Sequence, residues 1–296
     1  MELLPQEDRQ LRLDVLKEAL VREVQSRVLK QLRQERILDS HEGGLVANPS
    51  AYREGPLSYL TNEAIRDLMK QGVAVQHGFL GEEMRKKILK EVELIEYDGR
   101  FNEVFHQTVH DVRKDYMCWM STNDLDRETQ QGLWQLFKAM QALPFELNKK
   151  ANLCLQMSWV FQLAVYQGDG AYYRKHMDGG YEASVDNGRK ISALYYPNAT
   201  DWQEKDGGYL RVYPRRRREQ QLAEGSAMGA DEEEKKEDEE GKDENVKKRT
   251  VDIKPAGDTL VLLRSRDMPH EVLPTYRKRF AVTLWITGPP GPGDDT

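Results

Sequence analysis

The chain has few cysteines, no long apolar run and no excess of positive charge. Its 296 residues include two cysteines, Cys118 and Cys154, too few for a disulfide framework or a four-cysteine zinc site. No apolar stretch approaches the roughly 18–20 residues that a membrane-spanning helix needs. The 44 basic against 50 acidic residues argue against a general polyanion binder. We therefore expect a cytoplasmic or nuclear protein with reduced cysteines that binds neither nucleic acid nor a membrane.

One segment carries much of the charge. Residues 215–249 contain 10 basic and 12 acidic residues and very few apolar ones. Because so little apolar surface cannot offset the entropy lost on ordering, we predict a disordered insert. Without these 35 residues the chain keeps 34 basic against 38 acidic residues, which is an ordinary balance. The basic runs at the ends of the insert leave open a role in nuclear import or docking.

The N-terminal half has the patterns of helices. Residues 8–37 place leucines and valines at spacings of three or four, which predicts an amphipathic helix that either packs on the rest of the chain or binds a partner. The stretch 41–56 is rich in Gly, Pro, Asn and Ser and predicts a linker. Further helices are predicted from Asn62, as the N-cap, to Met69 and from Leu125 to Leu143.

The C-terminal half changes to the patterns of short strands. From about Val160 onward, apolar runs such as VFQLAVYQ, DTLVLLRS and RFAVTLWI alternate with Gly, Asn, Asp and Pro signals. Short strands at close spacing are typical of antiparallel barrels and sandwiches. The sequence therefore predicts an antiparallel sandwich or barrel, flanked by helices from the N-terminal half.

Two histidines and an aspartate form a candidate metal site. In YYRKHMDGG, His176 and Asp178 are two residues apart at the end of a predicted strand, so both side chains leave the same face. His270 follows the apolar strand DTLVLL. Two imidazoles and one carboxylate on neighbouring strands would make the facial triad that binds non-haem Fe(II). A His-x-Asp pair arises easily by chance, so this pattern needs support from elsewhere in the chain.

That support comes from an arginine on the next strand. Arg279 lies nine residues after His270 and opens the apolar run RFAVTLWI. A guanidinium inside the same barrel suits a planar dicarboxylate that chelates the metal at its other end. The alternative is an ordinary ion pair between Arg279 and an acidic residue at a strand end.

Four motifs together resemble a known family. The runs YQGDGAYYRKHMD, ALYYPN followed by DW, GGYLRVYP and HEVLPTYRKRFAVTLW resemble the 2-oxoglutarate- and Fe(II)-dependent prolyl 4-hydroxylases, most closely the Egl-nine type that hydroxylates hypoxia-inducible factor. The resemblance extends roughly from Gly72 to Gly288. His176 and His270 are 94 residues apart, or 59 without the insert, which suits the family. The implied fold is α+β, with a double-stranded β-helix (a jelly-roll or cupin-like barrel) flanked by N-terminal helices.

The resemblance also assigns roles to individual residues. It implies that His176, Asp178 and His270 bind iron and that Arg279 binds the distal carboxylate of 2-oxoglutarate. Further residues would line the cosubstrate pocket, and these are Tyr166, Tyr196, Leu210 and Thr283. Residues expected near the substrate or its mobile loop are Arg189, Trp285 and, in an RxDxxxW element, Arg113, Asp115 and Trp119. Asp115 is expected to pair with Arg189. Taken without the resemblance, the two tyrosines would be read as core residues and the Asp115 and Arg189 charges as surface groups.

The implied activity is hydroxylation of a peptidyl proline in an intracellular protein. The resemblance implies Fe(II) as cofactor, 2-oxoglutarate and O2 as cosubstrates, succinate and CO2 as products, support by ascorbate and a role in oxygen sensing. The expected partner is a hypoxia-factor-like protein or a ubiquitin-ligase adaptor, and the chain is expected to be a monomer. The alternatives are a 2-oxoglutarate oxygenase acting on another residue or a small molecule, and a non-catalytic scaffold. We divide the chain into an extension and linker (1–56), the dioxygenase domain (57–290) and a flexible tail (291–296).

Overall fold

Two antiparallel β-sheets form the centre of the protein. The computed structural model describes residues 26–35, 37–41, 44–47, 58–103, 112–179, 188–214 and 250–289. The strands within these described residues are β1 (Leu38–His41), β2 (Gly44–Ala47), β3 (Val73–His77), β4 (Asn102–Glu103), β5 (Tyr116–Met120), β6 (Phe161–Tyr166), β7 (Ala171–His176), β8 (Arg189–Tyr196), β9 (Leu210–Val212), β10 (Val251–Ile253), β11 (Thr259–Arg264), β12 (His270–Thr275) and β13 (Arg279–Thr287). The large sheet has the order β3-β11-β8-β13-β6-β5-β4, and the small sheet has the order β10-β9-β12-β7.

Helices cover the outer face of the large sheet. The described helices are α1 (residues 26–34), α2 (Asn62–Gln71), α3 (Glu82–Tyr97) and α4 (Gln131–Ala151), with 3-10 turns at Thr122–Asp124 and Glu204–Asp206. Ile88 and Val92 of α3 and Leu136 of α4 share one apolar core with the sheet residues Leu163 and Val282. A second apolar core, with Leu194, Leu210 and Val272 among its members, contains side chains of both sheets.

The strand β13 shows how the sequence pattern positions the site. Its side chains alternate between the two faces of the large sheet, as strand geometry requires. Residues facing the helices are Phe280, Val282, Leu284 and Ile286. Residues lining the pocket on the opposite face are Arg279, Ala281, Thr283 and Trp285. The double-stranded β-helix with flanking helices is therefore confirmed, and no described helix is long and apolar enough to span a bilayer.

Two helix boundaries differ from the sequence-based prediction. The N-cap of α2 is Thr61, whose side chain accepts a hydrogen bond from the Ala64 N–H, one residue before the predicted Asn62. The α4 helix begins later than predicted, at Gln131, and continues past Leu143 through Pro144. Proline removes one helical hydrogen bond, but Leu143 and Leu147 on either side are fully buried, and this packing keeps the helix continuous.

The predicted linker at 41–56 contains ordered structure. Strands β1 and β2 form a hairpin, in which Leu38 lies opposite Ala47. The hairpin is attached to the rest of the molecule, because the Ala47 N–H donates to the Leu155 carbonyl and the Asn148 amide donates to the Ala47 carbonyl. Residues 48–57 lie outside the described ranges, so the predicted boundary at 56 is not located.

Other predicted segments fall partly or wholly outside the described residues. The predicted N-terminal helix is described over 26–34 alone, where Val28 is 44% exposed. The charged insert 215–249 and the predicted tail 291–296 are likewise outside. Val212 of β9 lies opposite Val251 of β10, so the insert joins two adjacent strands of the small sheet. Both cysteines are free.

Candidate active site

The three predicted metal ligands lie together at the end of the small sheet. Strands β7 and β12 are antiparallel, and His176 lies directly opposite His270. Nε2 of His176 is 3.6 Å from Oδ1 of Asp178, and Nε2 of His270 is 3.7 Å from Oδ2. One ligand atom from each of the three residues falls within 4.8 Å of the others. This arrangement can hold one metal ion.

The backbone fixes the orientation of both imidazoles. Nδ1 of His176 is 2.8 Å from the Arg174 carbonyl, and Nδ1 of His270 is 2.8 Å from the Met268 carbonyl. A carbonyl oxygen can only accept, so each Nδ1 carries the proton and donates it. The lone pair of each Nε2 is consequently free to bind a metal, which is the usual arrangement of ligating histidines.

The charge states of the buried ligands also suit a metal. Burial alone would raise the pKa of Asp178, but hydrogen bonding to His176, the two imidazoles and the Ser192 hydroxyl together bring this pKa well below its ordinary value. Burial lowers the pKa of His270. The carboxylate is therefore ionised and His270 is neutral near pH 7, the forms in which both residues ligate metals.

Arg279 lies in the same pocket and is only 1% exposed. Its Nε donates to the Gly208 carbonyl at 3.0 Å, and its Cζ is 4.9 Å from the ring centres of both Tyr166 and Tyr196. Among the described residues, Nη2 of Arg279 and Oη of Tyr196 are buried and have no hydrogen-bond partner. None of the ion pairs found in the described part of the chain involves Arg279, so the alternative of a structural ion pair has no support.

Gly208 makes this arrangement possible. Its φ of 67° is in the left-handed region, and a Cβ there would lie 2.7 Å from Oγ1 of Thr275 and 3.1 Å from Cδ of Arg279. Only glycine therefore lets the chain pass close enough for its carbonyl to hold Nε of Arg279.

The pocket between the sheets has a volume of about 420 Å³, counting the space open to solvent at its mouth. The predicted residues that line it are Arg113, Tyr166, His176, Asp178, Leu210, His270, Arg279, Thr283 and Trp285. Tyr196 does not line the pocket but is buried behind it, beside Arg279. The remaining walls include Ala164, Ala281 and Val272, which make the interior largely apolar.

Aromatic and basic side chains lie at the mouth. The Trp119 and Trp285 rings are 5.6 Å apart, and Trp119 is 50% exposed. The Arg189 guanidinium is stacked 4.0 Å from the Trp285 ring centre, and its Nη1 donates to the Asp178 carbonyl at 3.4 Å. Arg189 is thus beside the pocket rather than in its lining, and it connects the mouth to the metal-ligand segment.

The predicted pairing of Asp115 with Arg189 is wrong. Asp115 is buried and binds Arg113 through two hydrogen bonds of 2.6 Å each. Arg113 lines the pocket, with its Cζ 4.2 Å from the Tyr173 ring centre, and Tyr173 in turn is stacked on His176 at 3.7 Å. Arg113 forms a β-bridge to Tyr173 and is two residues from Asp115 along the chain, so its guanidinium, and not that of Arg189, binds the Asp115 carboxylate.

Three polar residues of the site were missed by sequence reasoning. Gln162 is 6% exposed and lines the pocket opposite Thr283. The alternation in VFQLAVYQ could have identified it, because Gln162 and Tyr166 are four residues apart and share one face of β6. Ser192 and Ser265 are fully buried next to Asp178. Nothing in their sequence context separates them from ordinary core serines.

The fold and the site together define a class of protein. Residues 161–287, which contain the three candidate ligands and Arg279, match the 2OG-Fe(II) oxygenase superfamily. The match covers less than half of the chain, and this part of the chain is similar to a 2OG-Fe(II) oxygenase domain.

Within that class, the chain is similar to prolyl hydroxylases. It is 28% identical to the hypoxia-inducible factor prolyl hydroxylase of Caenorhabditis elegans, over 77% of this chain and 28% of the relative. It is also 28% identical to Egl nine homolog 1 of Rattus norvegicus, over 83% of this chain and 64% of the relative. The chain therefore spans less than two thirds of the length of these curated relatives.

Solved structures give the same likeness. A Trichoplax adhaerens prolyl hydroxylase in complex with a peptide fragment of the hypoxia-inducible factor oxygen degradation domain superposes with a TM-score of 0.58 and 26% identity, over 76% of this chain and 88% of that one. A Pseudomonas putida prolyl 4-hydroxylase gives a TM-score of 0.56 and 25% identity, over 77% of this chain and 98% of that one.

Proposed function

We propose that the chain is an Fe(II)- and 2-oxoglutarate-dependent prolyl 4-hydroxylase that acts on a proline within a protein and releases succinate and CO2. The observation that carries this proposal is the presence, in one pocket, of the His-Asp-His group and of a buried arginine with an unpaired Nη2. The fold itself requires neither feature. A site that binds a metal together with a chelating dicarboxylate requires both.

The donor set fits iron. Two imidazole nitrogens and one carboxylate oxygen are the ligands of the facial triad in non-haem Fe(II) oxygenases. His176 and His270 would each contribute Nε2, because their Nδ1 atoms are engaged with backbone carbonyls. When bound, Fe(II) supplies the redox chemistry with dioxygen that amino-acid side chains cannot perform. The part of the protein is to hold, orient and shield the reactants.

Arg279 fits the distal carboxylate of 2-oxoglutarate. Its Nε donates to the Gly208 carbonyl, and its Nη2 has no hydrogen-bond partner among the described residues. A buried guanidinium nitrogen without a partner costs free energy, and a carboxylate oxygen would remove that cost with a charge-assisted hydrogen bond. The Tyr196 hydroxyl also has no hydrogen-bond partner among the described residues, although Tyr196 lies behind the pocket, beside Arg279.

The walls of the pocket exclude water from the reactants. Leu210, Ala164, Ala281 and Val272 line the same pocket as Arg279 and the metal ligands and give it apolar surface. Electrostatic contacts are stronger in such a low-dielectric environment, and water competes less for the metal and for Arg279. Thr283 would offer a hydroxyl on the same wall, as the resemblance to the family implies.

A peptide substrate fits the mouth of the pocket. Trp119 and Trp285 offer flat aromatic surface beside the metal ligands, and the Arg189 guanidinium lies against Trp285. Proline rings pack well on aromatic rings, and arginine can donate to peptide carbonyls. The similarity to a prolyl hydroxylase described in complex with a substrate peptide supports this choice of substrate class.

The finer parts of the proposal follow from the resemblance to Egl-nine enzymes. The substrate is a hypoxia-factor-like protein or a ubiquitin-ligase adaptor, and the reaction serves oxygen sensing. Ascorbate supports activity by keeping the iron reduced. The chain acts as a monomer in the cytoplasm or nucleus, binds neither nucleic acid nor a membrane, and carries its catalytic domain in residues 57–290.

The test is a succinate-release assay with Fe(II), 2-oxoglutarate and proline peptides of the two candidate substrate types. We expect succinate formation that depends on iron and is stimulated by one of the peptides. His270→Ala should abolish it. His77→Ala is the matched control, because His77 contacts Thr259 at 3.0 Å on the edge strand β3 and should leave activity intact.

Mass spectrometry of the peptide product decides between the alternatives. An added oxygen on proline supports the proposal. An added oxygen found only on another residue or on a small molecule would contradict prolyl hydroxylation and support another oxygenase activity. Absence of iron-dependent succinate formation with every substrate would favour a non-catalytic scaffold.

A further inference from the structure

Two serines are fully buried behind the candidate metal site. Ser192 is on β8 and Ser265 follows β11, and both have no exposed surface. Oγ of Ser192 is 2.6 Å from Oδ2 of Asp178 and 2.8 Å from Oγ of Ser265. The three side chains therefore form one continuous hydrogen-bonded chain that ends on the carboxylate.

The direction of this chain follows from the chemistry of its groups. The Asp178 carboxylate is ionised and can only accept, so the Ser192 hydroxyl donates its single proton to Oδ2. With that proton engaged, Ser192 can only accept from Ser265. The order is thus Ser265 to Ser192 to Asp178, and each hydroxyl is oriented by the next group.

Ser265 also holds Asp178 through the main chain. Its carbonyl accepts from the Gly179 N–H at 2.9 Å, and its own N–H donates to the Lys190 carbonyl at 2.9 Å. A Cβ on Gly179 would lie 2.6 Å from Cγ of Arg266 and 3.1 Å from the Arg189 carbonyl, so glycine lets this segment approach. Gly179, the residue after Asp178, is therefore held by Ser265, the first residue of the hydroxyl chain.

We propose that Ser192 and Ser265 are positioning residues for the metal site. Because Ser192 donates to Oδ2, Oδ1 keeps more of the carboxylate charge, and Asp178 would hold the metal through Oδ1. One carboxylate oxygen and two imidazoles leave more of the coordination sphere open than a carboxylate bound through both oxygens. Such open positions are what 2-oxoglutarate and O2 require, so this inference rests on the proposed function and deepens it.

The experiment measures metal binding by the full chain, free of catalysis. Co(II) and anaerobic Fe(II) affinities are determined by calorimetry for the wild type and the variants, together with the Co(II) absorption spectrum and the melting temperature of the metal-free protein. We expect Ser192→Ala to weaken metal binding about 10- to 100-fold, which is typical when a residue that orients a ligand is lost. Ser192→Thr keeps a hydroxyl and should restore most of the affinity.

Two further variants separate positioning from folding. Ser265→Ala does not touch Asp178 and should weaken metal binding by a smaller factor, through loss of the orientation of Ser192. Ser158→Ala is the matched control, because it removes a serine hydrogen bond of 2.6 Å to the Trp285 carbonyl and should leave metal affinity unchanged. The Co(II) spectrum should change in Ser192→Ala, as Oδ2 becomes free to approach the metal, but not in Ser158→Ala.

The outcomes distinguish this inference from the proposed function. Wild-type metal affinity and spectrum in both Ser192→Ala and Ser265→Ala, with only a lower melting temperature, would overturn the positioning role and leave the enzyme proposal standing. If Ser192→Ala does not fold, Ser265→Ala and Ser192→Thr decide the matter by the same criteria. A wild-type chain that binds neither metal would overturn the metal site, and the positioning role with it.

Discussion

At the scale of single residues, two buried polar atoms in and directly behind the pocket have no hydrogen-bond partner among the described residues. Nη2 of Arg279 and Oη of Tyr196 are buried without partners, although most buried polar groups in proteins are hydrogen-bonded. Each such group costs about 1–3 kcal/mol, and more when charged. Such a cost at the end of a pocket, opposite a metal-ligand group, is offset when a ligand binds. Arg279 is therefore the residue at which cosubstrate affinity can be tested most directly.

The first prediction is that Arg279→Lys raises the KM for 2-oxoglutarate by about 10-fold or more, because hydrogen bonds to charged groups contribute roughly 1.5–3 kcal/mol. A lysine has the charge but lacks the planar fork, and it cannot donate to Gly208 and to a carboxylate in the same geometry. Steady-state kinetics at varied 2-oxoglutarate measures the change.

The control for that prediction is the neighbouring Lys278→Ala. Lys278 makes an exposed ion pair with Glu96 at 2.9 Å and should leave the KM unchanged. Equal KM values for wild type and Arg279→Lys would remove the cosubstrate role of Arg279.

At the scale of elements, helices α3 and α4 meet at a glycine. A Cβ on Gly132 would lie 2.9 Å from the Ile88 backbone nitrogen and 3.1 Å from the Glu91 carboxylate. Glu91 in turn accepts hydrogen bonds from the N–H groups of Gly132 and Leu133 at 2.8 and 2.7 Å. These N–H groups lie in the first turn of α4 and have no partner inside the helix, so α3 supplies the cap that α4 lacks.

The second prediction is that Gly132→Ala destabilises the protein by about 1–3 kcal/mol, the usual cost of forcing atoms into a packed contact. Helix propensity alone predicts the opposite, a gain of about 1 kcal/mol. Urea denaturation measures the sign. Gln135→Ala, an exposed position on the same helix, should stay within about 0.5 kcal/mol of wild type. A stabilised Gly132→Ala would contradict the close contact of α3 and α4.

The third prediction concerns pH and Glu91. Burial raises the pKa of this carboxyl in the folded protein, although hydrogen bonds from Leu133 and Gly132 act in the opposite direction. Between its unfolded and folded pKa values the native state holds the extra proton, so the stability it contributes is greatest below the unfolded pKa and is lost as pH rises through the folded pKa.

The measurement compares the free energy of unfolding of wild type and Glu91→Gln from about pH 4.5 to about pH 7, since an ordinary Glu titrates near pH 4.3. We expect the difference, wild type minus variant, to decrease as pH rises. The neutral variant cannot titrate at this position. A difference that grows with pH would mean that the hydrogen bonds to Glu91 outweigh its burial.

The sequence predicts features that depend on neighbouring residues better than features that depend on residues far apart in the chain. The alternation in RFAVTLWI predicts both faces of β13, and the spacing of His176 and Asp178 predicts their common direction. The pairing of Asp115 with Arg113 is equally local, because the two residues have the same spacing of two along the chain. Ser192 and Ser265, by contrast, are 73 residues apart and meet through sheet register, which no local pattern encodes.

At the scale of the whole molecule, the charged insert joins neighbouring strands on the small sheet. Leu210 of β9 lines the pocket, and Val212 of the same strand lies opposite both Val251 and His270. Strand β9, which precedes the insert, is therefore part of the site, and β10, which follows the insert, pairs with β9 at the edge of the small sheet. Their pairing is local and can be closed by a short turn.

The fourth prediction is that replacing residues 215–249 with a Gly-Ser pair keeps metal binding and succinate formation. It should also stabilise the protein by about 1–2 kcal/mol, because closing a shorter loop costs less entropy. Thermal unfolding and the succinate assay measure the two effects. Loss of metal binding in the shortened chain would show that the insert contributes to the site.

The hairpin β1–β2 helps to define the shortest stable form of the protein. Nδ2 of Asn148 donates to the carbonyls of both Ala47 and Leu155, and its Oδ1 accepts from the Leu155 N–H. Asn148 thus connects the end of α4, the segment before β6 and the hairpin through buried hydrogen bonds. Trimming the chain at residue 57 would remove the hairpin, with both of its strands, and expose the end of α4 to solvent and to proteases. A minimal version of this protein should therefore retain the hairpin from Leu38 onward.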